Sequence, residues 1–206
     1  GVVGPLGFAT SDANPAGRQT FENNYAMVGS PPVLVAAPVT QKWAASGFEA
    51  GPAGLPATEA AAAGPTLLGT YGVSQNFAGG VFYGLASGVR AGQAFLVSGL
   101  ILARYARLAG PAGILGLPIS DPFASGGRTQ QNFEGGSISF AAGDAEATES
   151  QGPRVPALTV VPAQVAVGGR VRIALSGFVP GRTLRVSVTS QPDFEVAPPS
   201  GSFSWE

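Results

Sequence analysis

Two pairs of carboxylates stand where acid–base chemistry could use them. Asp12 with Glu22, and Asp121 with Glu134, occupy matching places in two stretches of a chain that is otherwise poor in charge. Glycoside hydrolysis needs two carboxyls held ~5 to 9.5 Å apart, one to protonate the leaving oxygen and one to attack or to activate water. A third, similar stretch has Glu59 but Ala78, so it cannot hold the same pair. Asp12, Glu59 and Asp121 also follow Ser or Thr in turn-like segments, where such side chains commonly bond nearby backbone N–H groups. Capping of a turn is therefore the competing role, and the gap in the middle stretch favours it.

Other polar groups invite a ligand. Arg18 and Arg128 precede Gln-x-Phe segments, and a guanidinium can grip a carboxylate or phosphate in bidentate fashion. Each arginine can equally pair with Asp12 or Asp121 of its own stretch. Gln19, Gln75 and Gln131 can bond a sugar hydroxyl or a backbone group. Tyr25, Tyr71, Tyr83, Tyr105 and Trp43 can stack on sugar rings, although Trp43 and Tyr105 sit at helical spacing that suits burial. Lys42 beside Thr40 or Ser46 offers Ser/Lys chemistry but has no nucleophile elbow around it. Histidine and cysteine are absent, which excludes His- or Cys-based nucleophiles, Cys/His zinc sites and disulfides. No metal or cofactor is expected, and the chain reads as a non-enzyme.

Net charge is −1, with one lysine and scattered arginines, so there is no electrostatic footprint for nucleic acid. No stretch approaches the ~20 apolar residues of a membrane-spanning helix; Ala91–Ala109 is broken by Gly92, Gln93, Ser98, Gly99, Arg104 and Arg107.

The elements that must position these groups are short. The 206 residues include 31 Gly and 18 Pro, too many for a helical bundle. An internal repeat organises residues 1–150. Gln19-Thr20-Phe21, Gln75-Asn76-Phe77 and Gln131-Asn132-Phe133 are spaced by 56 and 56 residues. Each is followed by Gly or Asn and an alternating segment, predicting a hairpin with a two-residue turn. The equal spacing predicts that Phe21, Phe77 and Phe133 are equivalent and buried, and Phe8, also at a pattern-fixed position, is expected in the core with them. A Gly-Pro block precedes each hairpin, at Gly4-Pro5, Gly51-Pro52 and Gly110-Pro111. Short helices are predicted around Lys42-Trp43 and Arg104-Tyr105, with Pro38 and Ser98 at their starts, Gly47 and Gly110 at their stops, and Ile101, Tyr105 and Leu108 on one face. The copies run about 1–50, 51–109 and 110–150.

These blocks resemble the LGFP-repeat family, through Leu6-Gly7-Phe8-Ala9, Leu115-Gly116-Leu117-Pro118, Gly127-Arg128 leading to Gln131-x-Phe133, the Glu-Gly-Gly hairpin and the Lys42-Trp43 helix. The middle copy departs most, lacking the Leu-Gly pair and carrying Ala78. The resemblance implies a secreted protein of the cell wall or cell surface, with small β units strung into a stalk. It implies a wall-polysaccharide partner, peptidoglycan or arabinogalactan, with Arg18, Gln19, Tyr25, Arg128, Gln131, Asp12, Asp121 and Glu134 as candidate ligand residues.

Residues 151–156 read as a linker. Beyond them, period-two alternation over Leu158–Pro162, Gly168–Ser176 and Thr183–Thr189, then Gly201–Trp205, predicts half-buried strands. Val171, Ile173 and Leu175 share one face, as do Leu184, Val186 and Val188. The turn Gly177-Phe178-Val179-Pro180-Gly181 resembles a corner of bacterial immunoglobulin-like modules, although 157–206 is about half of the ~100 residues such a sandwich needs. The expected fold is thus mainly β with short helices: tandem hairpin repeats, then a partial immunoglobulin-like sandwich. The chain reads as an internal piece of a larger extracellular protein, or as a whole chain whose tail packs on the repeats. An alternative function is a filament or adhesin subunit, pairing with itself or a neighbour by strand exchange through the C-terminal module.

Overall fold

Short apolar–polar alternations bounded by glycine make strands rather than helices, and the protein is mainly β with two short helices. The computed structural model describes residues 4–151 and the strands 157–161, 172–176, 184–186, 194–196 and 203–205. Two compact units follow one another, Gly1–Gln151 and Gly152–Glu206.

The first unit holds three antiparallel sheets, one per repeat. Repeat 1 contains β1 (Gln19–Phe21), β2 (Tyr25–Val28) and β3 (Val33–Val35). Repeat 2 contains β4 (Ala61–Ala63), β5 (Gly72–Phe77), β6 (Gly80–Leu85) and β7 (Ala94–Val97). Repeat 3 contains β8 (Phe123–Ser125), β9 (Arg128–Phe133), β10 (Gly136–Ala141) and β11 (Thr148–Gln151). Helix α1 (Val39–Ala45) links repeats 1 and 2, and α2 (Gly99–Arg107) links repeats 2 and 3.

The registers establish equivalence. Gln19 faces Met27, Gln75 faces Phe82, and Gln131 faces Ile138. Isolated bridges tie Ala9 to Phe21, Pro56 to Phe77 and Pro118 to Phe133. Two expectations are corrected. Phe21 pairs with Tyr25, so the first hairpin has a three-residue loop, Glu22-Asn23-Asn24, where the others have two residues. Asn24 closes it at φ 58°, the left-handed conformation such loops require and Asn tolerates. The second correction concerns Gly110-Pro111. Residues 110–112 form a 3-10 turn, as do residues 48–50 after α1. Gly4, Gly51 and Gly113 are the equivalent glycines, since their carbonyls accept from Gly7, Gly54 and Gly116.

Both helices stop in two successive left-handed residues, Gly47-Phe48 and Ala109-Gly110. Glycine fills the first position in one copy and the second in the other. The remaining L-residue costs roughly 1–2 kcal/mol there. Phe48 is held by Trp43, ring edge to face at 5.1 Å, and by the Arg18 guanidinium 3.7 Å above its ring.

Each sheet has two faces. One front face carries Gln75, Phe77 and Phe82 in repeat 2; the back face carries Tyr83, Phe95 and Val97. The core lies in two clusters, one per junction. The first joins Ala26, Val28 and Val35 of repeat 1 to Trp43 of α1 and to Phe77 and Phe82 of repeat 2. The second joins Tyr83, Phe95 and Val97 of repeat 2 to Tyr105 of α2 and to Leu115, Phe133 and Ile138 of repeat 3. A repeat therefore buries its back face under its own helix and the front of the next repeat. Repeat 3 departs from this. At the places of Ala26, Val28, Val33 and Val35 its paired strands carry Ser137, Ser139, Thr148 and Ser150, none of them buried. A polar outer face is what a terminal repeat of a stacked array requires.

In the second unit β12 (Ala157–Val161), β13 (Arg172–Ser176) and β16 (Phe203–Trp205) form one antiparallel sheet, and β14 (Leu184–Val186) and β15 (Phe194–Val196) another. The described residues show neither a closed barrel nor a sandwich. Val171, Val188 and the 177–181 turn lie outside the described residues.

Candidate functional site

The residues that recur in every copy converge on the junctions. Gln75 Nε2 donates to Thr58 O and Leu34 O, both at 2.9 Å. Gln131 Nε2 donates to Ser120 O at 2.9 Å and Leu96 O at 3.0 Å. Leu34 on β3 and Leu96 on β7 are equivalent positions on the last strand of the preceding repeat. One amide thus fastens its own Ser/Thr turn to the sheet before it. Two carbonyl acceptors fix which end of the amide is nitrogen, and both Oε1 atoms are buried with no partner among the described residues. Among the described residues, Gln19 makes only the bond to its own turn, to Ser11 O at 3.2 Å.

The helix aromatics complete each junction. Trp43 is fully buried, stacks edge-on against Phe77 at 5.4 Å, and donates Nε1–H to Gly54 O at 3.0 Å. Tyr105 is fully buried, lies 4.6 Å from Phe133, and donates its hydroxyl to Gly116 O. Burial, with the nearby Tyr83 and Glu134 charges adding to it, pushes the Tyr105 phenol far above its ordinary value. It is a neutral donor at every physiological pH. Phe77 and Phe133 are buried, but Phe21 is only half-buried, with no helix aromatic packed on it among the described residues, and Phe8, expected in the core, is exposed.

Glu22 and Glu134 act alike. Each Oε2 accepts a backbone N–H of its own Gly-rich turn, from Phe8 at 3.0 Å and Leu117 at 2.9 Å. The turn glycine leaves room for this carboxylate: a Cβ at Gly116 would lie 2.4 Å from Glu134 Oε2, and φ there is +63°. At Gly54 the nearest atom is Ala78 Cβ, at 3.2 Å.

The arginines are engaged within the chain, with partners other than Asp12 or Asp121. Arg18 pairs with Glu49 at 2.9 Å, just after α1. Burial raises the Glu49 carboxyl, but bonds from its own backbone, Arg18 and Asn14 outweigh that and hold it below the usual range. Arg128 spans the polar back face of repeat 3, donating to Ser139, Thr148 and Asp144. By register Arg128 stands three residues before Gln131 and Arg18 one before Gln19, so they are not equivalent. Asp121 pairs with Lys42 of α1. Asp12 is exposed and has no partner among the described residues, and Tyr25 is half-buried at the hairpin end.

Sequence reasoning missed Glu49 and the α2 pair Arg104–Glu149, 2.6 Å apart. The Arg104 hydrogen bond holds the Glu149 carboxyl below its ordinary value. The signal was available in part, since Arg104 and Lys42 occupy the same helical position.

Clefts open among the described residues of the first unit, and two of them are larger than the one beside Arg104 and Glu146. One, of about 300 Å³, runs beside the Lys42–Asp121 pair over Phe82, Leu96 and Pro122. The other, of about 320 Å³, lies between Leu68, Thr70, Ser87, Val89, Arg90 and Glu134. Val89, Leu68 and the neighbouring Tyr71 are exposed apolar or aromatic side chains. Among the described residues no cluster of acids can hold a metal ion, and no helix is long and apolar enough to cross a membrane. No protein-family model and no curated protein matches the chain.

Proposed function

We propose that the chain is a non-catalytic module of a secreted, wall-associated protein, its repeats forming a stalk that holds cell-wall polysaccharide and its tail an immunoglobulin-like β module. The observation that carries the stalk is the doubled junction: Gln75 and Gln131 make the same two bonds, one within the repeat and one to the repeat before it. A motif that recurs for this reason is a stacking device. The carboxylates fit the same reading, because Glu22 and Glu134 are engaged by backbone and Asp121 by Lys42, which leaves no free acid–base pair at the repeated position.

Polysaccharide binding is assigned to the cleft around Leu68, Val89 and Arg90. Its apolar walls suit the faces of sugar rings, and Arg90, held among the described residues only by a 3.4 Å bond to Gln93 Oε1, offers a charge and hydrogen bonds, while the Thr70 and Ser87 hydroxyls bond Thr66 and Tyr71. Co-sedimentation of the full chain with insoluble peptidoglycan–arabinogalactan tests this. Retention that falls at least fivefold in Arg90→Ala with Val89→Ser supports the cleft. Unchanged retention moves the site elsewhere, and no retention of the native chain removes wall binding. Release of reducing sugar that disappears in Glu134→Gln would overturn the non-catalytic reading.

A further inference from the structure

The front face of repeat 1 is built like the two front faces that are covered. Gly7 has the left-handed φ of Gly54 and Gly116, at +79°. Glu22 holds the Phe8 N–H as Glu134 holds that of Leu117. Gln19 already grips its own turn with one of its two amide protons. What differs is cover. Ala53 and Leu115 are 0% exposed and Phe77 and Phe133 are buried, whereas their counterparts Leu6 and Phe21 are only half-buried; Phe8 is exposed, as Leu55 at the same place in repeat 2 also is.

The two internal junctions also show what fits. Trp43 sits over Ala53, while the smaller Tyr105 sits over Leu115. Large is matched to small, as close packing demands. Repeat 1 carries Leu6 at this position and Glu22 where repeat 3 carries Glu134, so its face follows the tyrosine pattern.

We propose that the front face of repeat 1 is a docking site for a further repeat of the same kind, whose closing helix carries a tyrosine where α2 carries Tyr105. That tyrosine donates its hydroxyl to Gly7 O. The second Gln19 amide proton goes to a carbonyl on that repeat's last strand, and Leu6 and Phe21 are covered. This assignment does not depend on what the clefts bind.

Two extended chains test it. Residues 51–112 placed directly ahead of Gly4 present repeat 2 with α2, because Gly4 is equivalent to Gly113. Residues 4–50 placed ahead of Gly4 present repeat 1 with the tryptophan helix α1. Amide exchange at Glu22 N–H and at the Gln19 side chain should slow at least tenfold with the α2 extension and by less with the α1 extension. Leu6→Ala should reverse that order. Equal or greater protection by the α1 extension on the native face overturns the tyrosine assignment, and no protection by either overturns the docking site. Should the added sheet stay unprotected, a peptide of residues 94–112 added to the native chain decides the matter. Slowed exchange at Gln19 and Glu22 upholds the site, and no change up to millimolar peptide overturns it.

Discussion

The two junctions perform one task with different side chains. The first uses Trp43 over Ala53 and Phe77, with Ala78 at the hairpin turn. The second uses Tyr105 over Leu115 and Phe133, with Glu134 at that turn and the Arg104–Glu149 pair beside it. Both keep the glutamine amide, the αL glycine carbonyl that receives the ring's polar hydrogen, and the left-handed helix stop. The constant parts are backbone geometry and one amide; the variable parts are volumes that need only sum to a filled space. A repeat can therefore change its core residues freely in matched pairs, but not its glutamine or glycine.

The largest effects should come from emptying either junction. Trp43→Ala and Tyr105→Ala remove fully buried rings, and each should cost about 3–5 kcal/mol, read from urea unfolding of the full chain. Exchange mapping would sharpen the comparison, because Trp43→Ala should loosen repeat 1 before repeat 3 and Tyr105→Ala the reverse. Uniform loosening by both would show that the junctions are not separable.

Next come the turn glycines. Gly54→Ala places a Cβ in the left-handed region with only Ala78 near, at a cost of roughly 1–2 kcal/mol. Gly116→Ala adds a clash with Glu134 and the loss of its cap, so it should cost about 1 kcal/mol more. Equal losses would mean that Glu134 does not distinguish the two turns. In Gly116→Ala with Glu134→Ala the extra loss should largely vanish.

A pH series separates the junctions further. The folded-state carboxyl of Glu149 titrates below its ordinary range, so its contribution is complete above the unfolded pKa of about 4.3 and is lost as pH falls through the lowered folded value. Glu149→Gln should flatten the acid limb of stability. The first junction has Leu34 at that position, and its acid component comes instead from Glu49, whose carboxyl is also held low; Glu49→Gln should flatten the limb there and Glu149→Gln should not loosen repeat 1. The smallest effect is expected for Lys42→Ala, since exposed ion pairs like Lys42–Asp121 are worth about 0–1 kcal/mol.

Much of this plan was legible in the sequence. The Gln-x-Phe spacing located three equivalent strands, and the Lys42-Trp43 and Arg104-Tyr105 pairing located both helices. Gly110-Pro111 misled because the same dipeptide serves a 3-10 turn, while the true counterpart of Gly51-Pro52 is Gly113-Ile114. Spacing showed that the glutamines recur but not that Leu34 O and Leu96 O lie within reach, because those partners come from another sheet. Glu49 and Glu149 escaped for the same reason. The hydroxyl run Ser137, Ser139, Thr148 and Ser150 was visible as alternation, and its contrast with Val28, Tyr83 and Phe95 could have been drawn from the register.

That hydroxyl run also gives the molecule a direction. Serine and threonine offer an incoming helix no apolar seat, and Arg128 already bridges Ser139 and Thr148. Lengthening therefore has to occur ahead of repeat 3, by copying an interior segment or adding at the Gly4 side. A gene that gains or loses such segments would change the number of repeats while leaving the surface next to Gln151 unchanged.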